Sequence, residues 1–123
     1  MNGLSKAFFG LGIGFAVLGM AWGIEMSVRG DHMLSPAHAH LNLVGYVSFA
    51  IFGVYYHLVP AAAGRVLARV HFALSGLGVL LMVPGIVMAI RQTGETLAKF
   101  GSLATIAGML VFGWVVLTSR AQN

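Results

Sequence analysis

The sequence contains no cysteine. Disulfide staples, thiolate metal ligands, a covalent haem attachment run and a cysteine-borne lipid anchor are therefore all excluded. Charge is nearly as scarce: only 8% of the 123 residues are Asp, Glu, Lys or Arg, with 3 acids against 7 bases. A water-soluble domain with so little charge would have no surface to present to solvent. The formal net charge of +4 is small, and the bases are scattered over connecting segments. They read as topology signals and not as a nucleic-acid patch. What remains is apolar. Hydrophobic residues make up 59% of the chain, and the mean hydropathy is +0.90. The length fits one domain.

The apolar residues fall into four segments, at about 7–24, 36–59, 66–90 and 100–117. Each is close to the ~20 residues that cross a bilayer core as a helix. Arg29, Gly30 and Asp31 break the first gap, Pro60 to Arg65 the second, and Arg91 to Glu95 the third. Gaps this short make sequence neighbours antiparallel. The expected fold is an all-α membrane protein, a four-helix up-down bundle. The first segment does not read as a signal peptide, because its apolar run is long and no small-x-small cleavage site follows it. Lys6, Arg65, Arg69 and Arg120 would share one side of the membrane, and Arg29, Arg91 and Lys99 the other. That bias places both termini in the cytoplasm, with a bacterial inner membrane as the expected location.

Small residues recur at four-residue spacing: Gly10 with Gly14, Gly19 with Gly23, and Ala104 with Gly108. Such pairs let helix backbones approach closely where lipid supplies no hydrophobic drive. They read either as packing within the bundle or as contacts between subunits, with the first segment the better candidate for the latter.

The histidines are the residues out of place. In SPAHAHLNLVGYV, residues 35–47, Ser35 and Pro36 read as a helix cap and first turn. His38, Asn42 and Gly45 then share one helix face, and His40 points roughly 200° away from His38. Gly45 would leave room there for a flat macrocycle. Ionisable groups inside a membrane usually mark function. The plain alternative is that both imidazoles meet water or a neighbouring backbone. His57, roughly 28 Å further along the helix, belongs to the opposite end. It pairs there with His71, either as two interfacial histidines or as a metal site. Met20, Met26, Met33, Met82 and Met88 fall toward the His38 side. They allow a His–Met copper site or His–Met haem ligation, although each Met alone reads as core filler. Glu25 and Arg29 read as an i,i+4 ion pair, His32 as a loop residue, and Trp22, Tyr46, Tyr55 and Tyr56 include interface anchors.

PAHAHLNLVGYVSFAIFGVYYHLVP followed by ARVHFALSGLGVLL resembles the catalytic subunit of haem–copper oxidases and nitric oxide reductases. The matching pieces are HAH at 38–40, YYHLVP at 55–60 and VHF at 70–72. Aligned with the family's H-x-H helix, His38 and His40 would bind haem iron. Aligned with its second helix, whose pattern is P-x-H-x-N, Pro36 and His38 match and His40 stands where the pattern has Asn. Only His38 carries over in that case. The resemblance implies haem b as cofactor, with copper as the alternative. It implies electron transfer or binding of O2 or NO, and a redox partner protein. The chain would be one four-helix arc of a subunit that has three, so a homo-oligomer, first of all a trimer, would complete it. It lacks the second histidine set and the cross-linked tyrosine motif, so it is not a complete oxidase alone. A cofactor-free accessory or assembly subunit is the competing expectation.

Overall fold

The computed structural model describes residues 1–120. Four helices are long and apolar enough to span a bilayer: α1 Gly3–Arg29, α2 Ser35–Leu58, α4 Val66–Ile90 and α5 Thr96–Thr118. A single turn, α3 Pro60–Ala63, lies between α2 and α4. There is no strand among the described residues. The all-α expectation holds. Side chains such as Leu18, Ile24, Leu80, Ile106 and Leu110 are more than half exposed. In water that surface would drive aggregation; in lipid it is solvated. The chain is an integral membrane protein and the bilayer is its surrounding partner.

Helices α1 and α5 overrun the expected boundaries, because polar ends can continue helical hydrogen bonding in the headgroup zone, whereas α2 and α4 keep to them within one residue. Asn2 caps α1, its Oδ1 accepting the Ser5 N–H at 2.8 Å. Gly30 ends it in the left-handed conformation, φ 66°, and returns its N–H to Met26 and Ser27 carbonyls. Glu25 and Arg29 pair at 3.1 Å, as expected. Ser35 does not cap α2: the residue before it, Leu34, occupies the cap position and no side chain caps the helix. Ser35 lies inside the first turn, its N–H bonded to the His32 carbonyl at 3.1 Å.

Helix α2 is not uniform. Ser35–His40 and Ser48–Leu58 are α-helical, but Leu41–Val47 is a π-helix. The Ser48 N–H and hydroxyl both reach back five residues to the Leu43 carbonyl. Wide turns of this kind concentrate at functional sites.

Two seams hold the bundle. Along the α4–α5 seam, small residues of one helix meet the other in a single antiparallel register. Gly85 lies on Ala98, Gly101 on Met82, Gly78 on Thr105 and Gly108 on Ser75. A Cβ on Gly101 would stand 2.5 Å from the Met82 nitrogen, so only glycine fits. Gly108, the second residue of the Ala104–Gly108 pair, therefore belongs to packing within the chain. Along the α1–α2 seam, Gly12 lies on Phe49, and Gly19 and Gly23 lie on Asn42 and His38. Gly10 and Gly14 face outward with nothing within 4 Å.

Candidate functional site

The histidines fall at opposite ends of α2. At its start, His38, Asn42 and Gly45 do share a face, and that face is pressed on α1. The His38 ring lies over Gly23, where an added Cβ would stand 3.1 Å from Cε1. The Asn42 side chain lies over Gly19, which has no room for a Cβ. The Asn42 amide donates to His38 Nε2 at 3.3 Å, and the Trp22 ring stands edge-on to the imidazole at 6.2 Å. His38 Nδ1 is buried without a partner.

The space expected beside Gly45 is not there. The Phe15 ring fills it, and a Cβ on Gly45 would come within 2.9 Å of Phe15 Cδ2. No macrocycle lies on this face of a single chain. The reason is general: a glycine on a membrane helix is an invitation to the nearest helix as much as to a cofactor.

His40 points the other way, as the helical spacing required. Its Nδ1 is 2.7 Å from the Pro36 carbonyl. A carbonyl only accepts, so Nδ1 carries the proton and Nε2 keeps its lone pair. Metal-binding imidazoles are commonly held in this way, by a hydrogen bond from the other ring nitrogen to a backbone carbonyl or carboxylate. The arrangement is also the plain backbone contact that the sequence allowed.

At the other end of α2 the expected His57–His71 pair does not form. His57 is exposed, whereas His71 is fully buried. The Tyr56 hydroxyl meets His71 Nδ1 at 2.9 Å, and His71 Nε2 is buried without a partner. Phe52 and Phe112 flank the ring, with centroids at 4.4 and 4.8 Å. Phe8 of α1 completes the cage at 5.0 Å. All four long helices thus contribute to one aromatic knot. Tyr56 is likewise fully buried and is not an interface anchor. His71 lies in the second turn of α4, and the short α2–α4 connection brings that turn against Tyr56 at the end of α2.

Met82 is buried, and its sulfur takes a 3.8 Å contact from the Ser102 hydroxyl. Met88 is half-buried, and its carbonyl accepts the Thr93 N–H and hydroxyl. Neither is drawn to the His38–His40 turn by a contact of its sulfur. Among the described residues no three His, Asp or Glu side chains cluster as a metal cage. A cavity of about 20 Å³, lined by Ser48, Ser75, Thr105 and Phe52 among others, has room for one water but not for a macrocycle.

The donor chemistry at the start of α2 fits an imidazole-ligated group at His40, whose Nε2 lone pair is oriented by the Nδ1 bond to Pro36, whereas the His38 Nε2 lone pair is already taken by Asn42. Within one chain, the α1-facing side of this turn is filled, and a group could be held only on the side toward which His40 points. Sequence reasoning missed the π-turn and the Tyr56–His71 pair. Nothing in LNLVGYV signals i→i+5 bonding. Tyr56 and His71 were visible as residues, but not their contact across a connector.

Compared with known protein families, curated proteins and solved structures, the chain matches none.

Proposed function

We propose that this chain is a haem-b-binding integral membrane protein, related to the haem–copper oxidases, that transfers electrons or binds a diatomic gas. The observation that carries the reading is the opposed pair on one turn of α2. His40 has Nδ1–H tied to its own helix and Nε2 free, and His38 is seated on Gly23 and steered by Asn42. The resemblance names His38 as leading axial ligand. The geometry favours His40 for iron, since His38 Nε2 already accepts from Asn42. Bound haem would supply one-electron chemistry and a site for O2 or NO; the chain's own residues orient the imidazoles. The direction of His40, turned from the filled α1 face, supports a group held between copies of the chain, in a homo-oligomer such as a trimer, with the second ligand from a neighbour. Both termini would be cytoplasmic, in a bacterial inner membrane, with a separate redox partner protein.

The test is a visible spectrum of the purified protein after expression with ample haem. A Soret band is expected. Its loss in His40→Ala and its retention in His71→Phe support the reading. Loss only in His38→Ala would move the axial ligand to that residue. No band in the parent protein would sink the haem proposal, and metal analysis of the same sample tests copper. A cofactor-free assembly subunit is the second reading. The outward Gly10–Gly14 face favours it, because it offers a close-packing surface that the chain itself leaves uncovered.

A further inference from the structure

Folding sorts the charges by end. Asn2 Nδ2 donates to the Tyr56 carbonyl at 2.8 Å, tying the N-terminus to the end of α2. Arg65 Nη1 donates to the Thr118 and Ser119 hydroxyls, each at 2.7 Å, tying the α3–α4 turn to the end of α5. One end of the bundle therefore carries Lys6, Arg65, Arg69 and Arg120 and no acidic side chain. The other carries Arg29, Arg91 and Lys99 with Glu25, Asp31 and Glu95. There, Arg29 is paired with Glu25 at 3.1 Å and Lys99 with Glu95 at 3.6 Å. The whole net side-chain charge of +4 lies at the first end.

Arg65 is the ordered member of that group. The residue is half-buried, and its guanidinium uses one nitrogen for the two hydroxyls, leaving other donors of its five. Arg69 follows one turn later on the same helix and is exposed. Helix α4 begins here without a side-chain cap, so its first N–H groups add positive potential. Leu58, Val66 and Leu117 flank the turn and are 66%, 72% and 81% exposed. Cations over an apolar belt match a lipid, whose phosphate meets the arginines while its chains cover the leucines.

We propose that this end is a binding surface for anionic phospholipid, with Arg65 and Arg69 holding the headgroup phosphate and the opposite end indifferent to lipid charge. Nucleic acid does not fit, because the charges rim an apolar belt at headgroup depth. Attraction of an anionic surface amounts to about a fivefold change in binding per basic residue.

The experiment uses the full-length protein in neutral detergent. Binding of phosphatidylglycerol and of phosphatidylcholine is compared by native mass spectrometry, and melting is followed with each lipid or with inorganic phosphate. Phosphatidylglycerol should bind preferentially and raise the melting temperature, and added salt should weaken the preference. Arg65→Gln with Arg69→Gln should cut the preference roughly 25-fold, at about fivefold per charge. Arg69→Gln with Arg120→Gln, which keeps the Arg65 bonds and therefore the fold, should cut it by a similar factor. Arg91→Gln should leave it unchanged. Equal binding of the two lipids, full preference in the Arg69/Arg120 variant, or equal stabilisation by inorganic phosphate would each overturn the proposal. None of these outcomes depends on haem, so it stands or falls apart from the functional reading.

Discussion

At the residue scale, the buried polar groups carry the consequences. The Tyr56 hydroxyl and His71 Nδ1 pair at 2.9 Å inside an aromatic cage. Removing one partner leaves a buried imidazole with both nitrogens unpaired, which costs about 1–3 kcal/mol. Tyr56→Phe should therefore lower the melting temperature in detergent. The double change Tyr56→Phe with His71→Phe should recover much of the loss, since apolar rings of similar size replace both partners. A double change that costs the sum of the singles would show the pair to be uncoupled. At the other end of α2, Gly23→Leu drives a side chain into the space of the His38 ring, 3.1 Å from where a Cβ would stand. The expected outcome is destabilisation of about 1–3 kcal/mol by overpacking, together with a shifted or lost Soret band if haem is bound. An unchanged melting curve would mean that α1 and α2 do not meet there.

At the scale of elements, the glycines divide into two populations that spacing alone does not separate. Gly78, Gly85, Gly101 and Gly108 close the α4–α5 seam. Gly10 and Gly14 face lipid, although they show the same four-residue spacing as Gly19 and Gly23. Gly101→Leu should destabilise the monomer by roughly 1–3 kcal/mol, because backbone stands where the side chain must go. Gly10→Leu should leave monomer stability within about 0.5 kcal/mol, read as an unchanged melting curve in detergent. Loss of monomer stability in Gly10→Leu would place that face inside the bundle. The seven-residue spacing of Gly78 with Gly85, and of Gly101 with Gly108, was present in the sequence and is the signal that could have paired α4 with α5.

At the scale of the molecule, the segregated charge bears on orientation. Four basic residues stand at one end and three at the other, and it is this count that would place the termini in the cytoplasm, since the acids of the second end weigh little in it. Because the chain has no cysteine, a single introduced thiol reports one position cleanly. With cytoplasmic termini, Asp31→Cys should react with a membrane-impermeant maleimide in intact cells, and Gly64→Cys should react only after lysis. The reverse pattern would invert the topology.

Number and type of elements were legible from the chain: a mean hydropathy of +0.90 over four runs of bilayer length leaves few alternatives to a helical bundle. So was the opposed direction of His38 and His40, because a helix turns by a fixed angle per residue. Tertiary structure alone decided what each face meets. Phe15 took the space beside Gly45, α1 took the His38 face, and His71 sank into an aromatic cage instead of facing His57. Periodicity fixes where a side chain points along its own helix. It is silent on which neighbour arrives, because in lipid every apolar face is equally solvated and close packing makes the choice.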